Sequence, residues 1–128
     1  MIHLNLPYPP SINNYWIASG HRRFISQRGR DFKNDVATYC KEYKVSNFGD
    51  DPVWVDIILR PRSKKLMDID NCVKPILDAL IGIVYTDDVS VQRITIERGL
   101  PIKGGGCVVM IDLMSSFHQS EGNLALIS

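Results

Sequence analysis

Val53-Trp54-Val55-Asp56-Ile57-Ile58-Leu59 is the stretch that decides the fold. Its β-branched and aromatic side chains suit a pleated, buried surface, so it reads as a central strand. The turn Asn47-Phe48-Gly49-Asp50-Asp51-Pro52 precedes it, and a basic loop from Arg60 to Lys65 follows. Toward the N-terminus, Ile2, Leu4 and Leu6 alternate with His3 and Asn5, the period of a half-buried strand that Pro7, Pro9 and Pro10 end. A short extended piece from Arg22 leads to Ser26, a suitable cap for a helix over about residues 27–45, with Phe32, Val36, Tyr39, Cys40 and Tyr43 on its apolar face.

Toward the C-terminus, Val73, Ile76, Leu77, Leu80, Ile81 and Val84 form one stripe and predict a helix over about 71–84. Pro75 belongs in the first turn of such a helix, because deeper inside it would remove a hydrogen bond and clash with the preceding turn. Two further strands, about 91–98 and 107–113, are joined by a glycine-rich connection read as a hairpin loop. The order β-α-β-α-β-β predicts an α+β domain, a small mixed sheet with two main helices. It occupies residues 1–114 as one unit, and residues 115–128, which show no period, are read as a loosely structured tail.

A chain of 128 residues with 45% hydrophobic content supports one core and leaves little room for a second. The longest apolar run, Leu80 to Tyr85, is far short of the roughly 20 residues that span a bilayer, so no membrane association is expected. The N-terminus lacks the basic and apolar regions of a secretory signal, which predicts a cytoplasmic protein. Cys40, Cys72 and Cys107 are odd in number and contain no Cys-x-x-Cys pair, as expected of reduced, packed thiols. The net charge of +1 announces no nucleic-acid partner, so the local distribution of charge has to decide.

The informative cluster is Asp68-Ile69-Asp70-Asn71. In an extended approach to the helix, Asp68 and Asp70 alternate around Ile69 and could face one site. Two carboxylates this close repel unless a cation neutralises them, and magnesium favours such oxygens while keeping room for water and substrate phosphate. Lys74, four residues after Asp70, could meet a phosphate oxygen and offset developing charge, while Asp78 continues the row as its helix-face partner. Asp87 and Asp88 form either a polar turn or a further ligand set. A helix of about fourteen residues is roughly 20 Å long, so Asp88 is expected at the end opposite Asp68 and Asp70. A partner subunit, packed antiparallel across a two-fold axis, would then bring its own Asp88 to the cluster.

Arg60, Arg62, Lys64 and Lys65 lead into the acidic run, and Arg22, Arg23, Arg28, Arg30 and Lys33 form a second basic group. Both suit a polyanionic substrate or a solvated surface. Tyr15, Trp16 and Phe24 read either as core or as wedges for a distorted duplex. A calcium loop starting at Asp68 would want glycine and glutamate where this chain has Val73 and Ala79. An aspartyl phosphatase would want a hydrophobic strand running directly into the motif, where the basic loop intervenes.

Leu6-Pro-Tyr-Pro-Pro-Ser-Ile-Asn-Asn-Tyr-Trp16, Asp68-Ile-Asp-Asn-Cys-Val-Lys-Pro-Ile-Leu-Asp-Ala-Leu80 and Asp87-Asp-Val-Ser-Val91, in this order, resemble the RusA-type Holliday junction resolvases over most of residues 1–113. The resemblance implies a RusA-like homodimer that uses magnesium, or manganese in its place, to nick opposing strands of four-way-junction DNA in recombination and repair. It carries the family's catalytic and metal-binding aspartates onto Asp68, Asp70 and Asp88, and its important lysine onto Lys74. It also implies in-line attack by an activated water, and an origin in a bacterial or phage-infected cell. DNA contacts would fall to Arg60, Arg62, Lys64, Lys65, Arg22 and Arg23. The alternative is a non-catalytic junction- or duplex-binding dimer in which the aspartates cap the helix around a structural cation.

Overall fold

The computed structural model describes residues 1–64 and 68–117. Lys65, Leu66 and Met67, and the tail from residue 118, lie outside the described residues. Strands β1 (Ile2–Leu6), β4 (Val53–Arg60), β5 (Val91–Arg98) and β6 (Gly106–Leu113) build one sheet in the order β1-β6-β4-β5. The central strand expected at 53–59 is there. Strand β4 has neighbours on both sides, β6 antiparallel and β5 parallel. Its odd-numbered residues Val53, Val55, Ile57 and Leu59 are all buried, and they meet Leu4, Leu6, Val109 and Ile111 in one core.

The expected hairpin between the last two strands is corrected: β4 lies between β5 and β6. Their connection instead passes over the end of β4, where Gly99 N–H donates to Leu59 O (2.7 Å) and Ile102 N–H to Pro61 O (2.9 Å). Glycine there records a close approach, since a Cβ on Gly99 would come within 2.8 Å of Ile58 Cγ2. Strands β4 and β5 are parallel because a helical crossover joins them, as parallel pairing requires.

Helix α2 (Gln27–Glu42) is capped as expected. Ser26 Oγ accepts from Gly29 N–H (3.1 Å) and donates to Asn14 O (2.6 Å). Phe32, Val36 and Cys40 form its buried face. The short extended piece expected from Arg22 is strand β3 (Arg22–Ile25); not anticipated were a short helix α1 (Ile12–Tyr15) and strand β2 (Trp16–Ser19), with which β3 forms a hairpin. Gly20, at φ 61°, opens their two-residue turn, the position at which such hairpins call for glycine.

The helix expected over 71–84 is corrected most. It is a 3₁₀ turn (Ile69–Cys72) followed by α3 (Val73–Ala79), with Pro75 in the first turn of α3 as foreseen. After Leu80 the chain reverses through Gly82 at φ 80°, a conformation costly for other residues. Tyr85 is wholly buried and donates its hydroxyl to Leu77 O (2.6 Å), which ties the returning segment to the helix. The apolar stripe misled because Leu80, Val84 and Tyr85 enter the same core from a turn.

Candidate active site

The reversal at Gly82 returns the chain to the start of α3. Asp87 carries the short 3₁₀ turn Asp88–Ser90, its carboxylate accepting from Asp88 N–H (2.7 Å), and this turn presents Asp88 to Lys74. Lys74 Nζ lies 2.8 Å from Asp88 Oδ2 and 2.8 Å from Asp78 Oδ1. The hydrogen bonds it donates to these two carboxylates, Asp78 first, hold the Lys74 ammonium charged well above the ordinary lysine range. The lysine side chain is 50% exposed, whereas those of Asp78 and Asp88 are 14% and 19% exposed. An ammonium has three donors, so one remains for a phosphate oxygen from solvent.

The expectation that Asp88 stays at the far end of a long helix is therefore corrected: within one chain it meets Lys74. The pairing of Asp78 with Lys74 is as anticipated, although Asp78 is mostly buried. Asp68 and Asp70 stand exposed at the 3₁₀ turn just before α3. Among the described residues no three histidine, cysteine or acidic side chains gather closely enough to hold a metal ion. The chain thus presents an exposed acidic pair and, after it, a lysine clamped between two further carboxylates, Asp78 and Asp88.

Helix α1 contributes a residue that the sequence reading left between core and DNA wedge. Tyr15 is fully buried, and its ring meets Trp16 edge-on at 5.0 Å. Its hydroxyl is directed at Asp78 but closes no hydrogen bond within 3.5 Å, and its pKa is pushed up to about 12, by burial first and by the Asp78 carboxylate second. The signal for this contact lay in the Tyr15-Trp16 pair, but only the fold shows which carboxylate it faces.

The basic residues divide. Arg60 is half-buried at the end of β4, and its Nε donates to Leu100 O (3.1 Å), so the glycine-rich loop braces the start of the basic stretch. Arg62 and Lys64 are exposed beyond it, and Lys65 lies outside the described residues. Arg22 and Arg23 are exposed on β3, with the Arg23 guanidinium 4.9 Å from the centre of the Trp16 ring. Phe24 is 47% exposed on the same strand, opposite Ile17 at 51%, so it is not a core residue.

A protein-family model, Endodeoxyribonuclease RusA, matches residues 7–112, a span that takes in the acidic turn, Lys74 and Asp88. The chain belongs to the RusA family. Among its relatives, a crossover junction endodeoxyribonuclease of Enterobacteria phage HK97 is 31% identical over 112 residues, covering 87% of this chain and 93% of the relative. The protein of the same name from Enterobacteria phage 82 is 30% identical over 105 residues, covering 81% and 87%. That of Escherichia coli strain K12 is 28% identical over 104 residues, covering 80% and 86%. The RusA match ends at β6, so the tail takes no part in it.

Proposed function

We propose that this RusA-family chain is a structure-specific endodeoxyribonuclease that resolves four-way DNA junctions, acting as a homodimer with magnesium. The observation that carries the reading is the half-exposed Lys74 ammonium, clamped by Asp78 and Asp88 directly after the exposed pair Asp68 and Asp70. The curated relatives named as crossover junction endodeoxyribonucleases support it over nearly their full length.

The donor set fits a hard divalent cation: Asp68, Asp70 and Asp88 offer only carboxylate oxygens, at or near the surface. These three would hold it, and when bound it would supply a nucleophile at neutral pH and neutralise charge on the leaving oxygen. Lys74 donates its remaining N–H to a non-bridging oxygen of the scissile phosphate, orienting it and offsetting charge in the transition state. Asp78 keeps Lys74 protonated and aimed. Arg62, Lys64 and Arg22 and Arg23 of the hairpin attract the flanking phosphates, a contribution that weakens with salt.

A two-fold dimer would provide two equivalent sites for two opposing strands. It would also complete a ligand set that one chain does not gather among its described residues. The test uses a labelled four-way junction and linear duplex, each with magnesium and with chelator. Cutting confined to the junction and to magnesium is the expected result; equal cutting of duplex would make this a general nuclease, and binding without cutting would leave a structural DNA-binding dimer. Mixing Asp70→Asn chains with Asp88→Asn chains separates the two arrangements of the site. Activity returns in the heterodimer if Asp88 serves the partner's cluster, and stays absent if it serves its own.

A further inference from the structure

A cleft of about 350 Å³ opens between the proline loop after β1, the first turns of α2 and the loops at residues 62 and 104. Its lining mixes three chemistries. Pro7, Pro9, Tyr8 and Phe32 give apolar and aromatic surface, Arg28 and Arg62 give positive charge, and Asp31 and Asp35 give two carboxylates. The last two are four residues apart on α2 and so share a face. None of the ion pairs formed among the described residues joins either arginine to either carboxylate. The arginines and carboxylates of the cleft are thus not closed into ion pairs; Asp31 Oδ1 accepts from Gln27 Nε2 (2.7 Å), which leaves its second oxygen and the Asp35 carboxylate for a ligand.

Two features fit this cleft to one nucleotide. Its volume is at the low end of the roughly 300–1,000 Å³ typical of small-molecule sites, room for a single unit but not for a base pair with its backbone. It also adjoins the acidic turn, because Asn14 of α1 lines it and α1 packs against the 3₁₀ turn Ile69–Cys72 that carries Asp70. The wall behind Tyr8 is tight: a Cβ on Gly105, at φ 73°, would stand 3.2 Å from Tyr8 Cβ and 3.5 Å from Arg62 N. Tyr8 and Arg62 are therefore set by the same loop.

We propose that this cleft receives one unstacked nucleotide beside the phosphate being cut, and that Asp31 and Asp35 favour bases bearing an exocyclic amino group. The inference rests on the nuclease reading above. The base lies on aromatic and proline surface, a contact every base can make. The arginines take its phosphate. A carboxylate only accepts hydrogen bonds, so it pairs with the projecting amino groups of adenine, cytosine or guanine, whereas thymine offers it a single N3–H set between two carbonyl oxygens that repel it.

The test is the affinity for fixed four-way junctions, measured in chelator so that no strand is cut. The nucleotides flanking the crossover are changed one at a time to each of the four bases and to an abasic residue. At one position, thymine and the abasic residue should bind the full-length protein about tenfold more weakly than the three amino-bearing bases. The doubly substituted Asp31→Asn, Asp35→Asn protein, altered only at exposed helix positions, should bind all four bases there within about threefold, because an amide both donates and accepts. Equal affinity for every base and for the abasic residue at all flanking positions overturns the proposal, as does discrimination that survives unchanged in the double variant. Adding magnesium to the same junctions tests the nuclease reading separately, since absent cutting counts against that reading and leaves the affinity pattern standing.

Discussion

Lys74 Nζ and Asp88 Oδ2 stand 2.8 Å apart although fourteen residues separate them in the chain. The contact exists because α3 stops at Ala79 and Tyr85 pins the returning segment under it. It brings Asp78 of α3 and Asp88 of the returning turn to one cation whose side chain remains half open to solvent.

Replacing that cation should be costly for chemistry and cheap for folding. Ion pairs this exposed contribute only about 0–1 kcal/mol, so Lys74→Met is expected to unfold within a few degrees of the wild type. Junction cleavage should fall about 10²–10³-fold, the loss typical of removing one donor to developing charge. Normal cleavage by Lys74→Met would remove Lys74 from the mechanism.

The pH profile should be blind to Lys74. Its carboxylate partners raise its pKa above the ordinary 10.5, so the charged form and its ion pairs persist below that value and are lost only as pH rises through the higher folded-state value. A single-turnover profile up to about pH 9 should therefore have the same shape in wild type and in Lys74→Arg. A limb that moves between the two proteins would assign the titration to this residue.

Tyr15→Phe should preserve or raise stability. The buried hydroxyl closes no hydrogen bond, and removing an unsatisfied buried polar group can return about 1 kcal/mol. Loss of 2 kcal/mol or more in denaturant unfolding would show instead that the hydroxyl bonds Asp78 in solution.

Ser26→Ala should lose about 1–2 kcal/mol, because it removes both the cap on Gly29 N–H and the bond to Asn14 O that fixes α1 against α2. Gly29→Ala tests the same corner sterically, since its Cβ would meet Ile25 Cγ2 at 2.7 Å and Tyr15 O at 3.1 Å. An unchanged midpoint in both variants would contradict this packing.

The thiols should be inert in the folded protein. Cys40, Cys72 and Cys107 are free and buried, and burial raises the pKa of each, that of Cys107 to about 12, so little thiolate exists at pH 8. A disulfide reagent should label none of them rapidly until denaturant is added, and then all three. Rapid labelling of one thiol in the native state would identify a local opening.

Signals carried by neighbours in the chain were legible before the fold was known. The alternation of Ile2–Leu6, the β-branched run at Val53, the Ser26 cap and the place of Pro75 all express local preferences, and each element formed there. Of the hairpin at Trp16–Ile25, the extended piece from Arg22 was legible, whereas Trp16–Ser19 buries little and carried too weak a signal to reveal its partner strand. Strand order was not legible: the glycines from Gly99 to Gly106 suit a hairpin turn and a loop arching over β4 equally well.

The sequence by itself determined the α+β class, the buried thiols and the residues of the acidic turn, because hydrophobic period, capping and charge clustering act over a few residues. Where Asp88 goes, which carboxylates clamp Lys74 and which wall faces Tyr8 were decided only by tertiary structure. The same apolar stripe can continue a helix or turn back into the core, and only the competition for buried space, won here by Tyr85 beneath α3, selects between them.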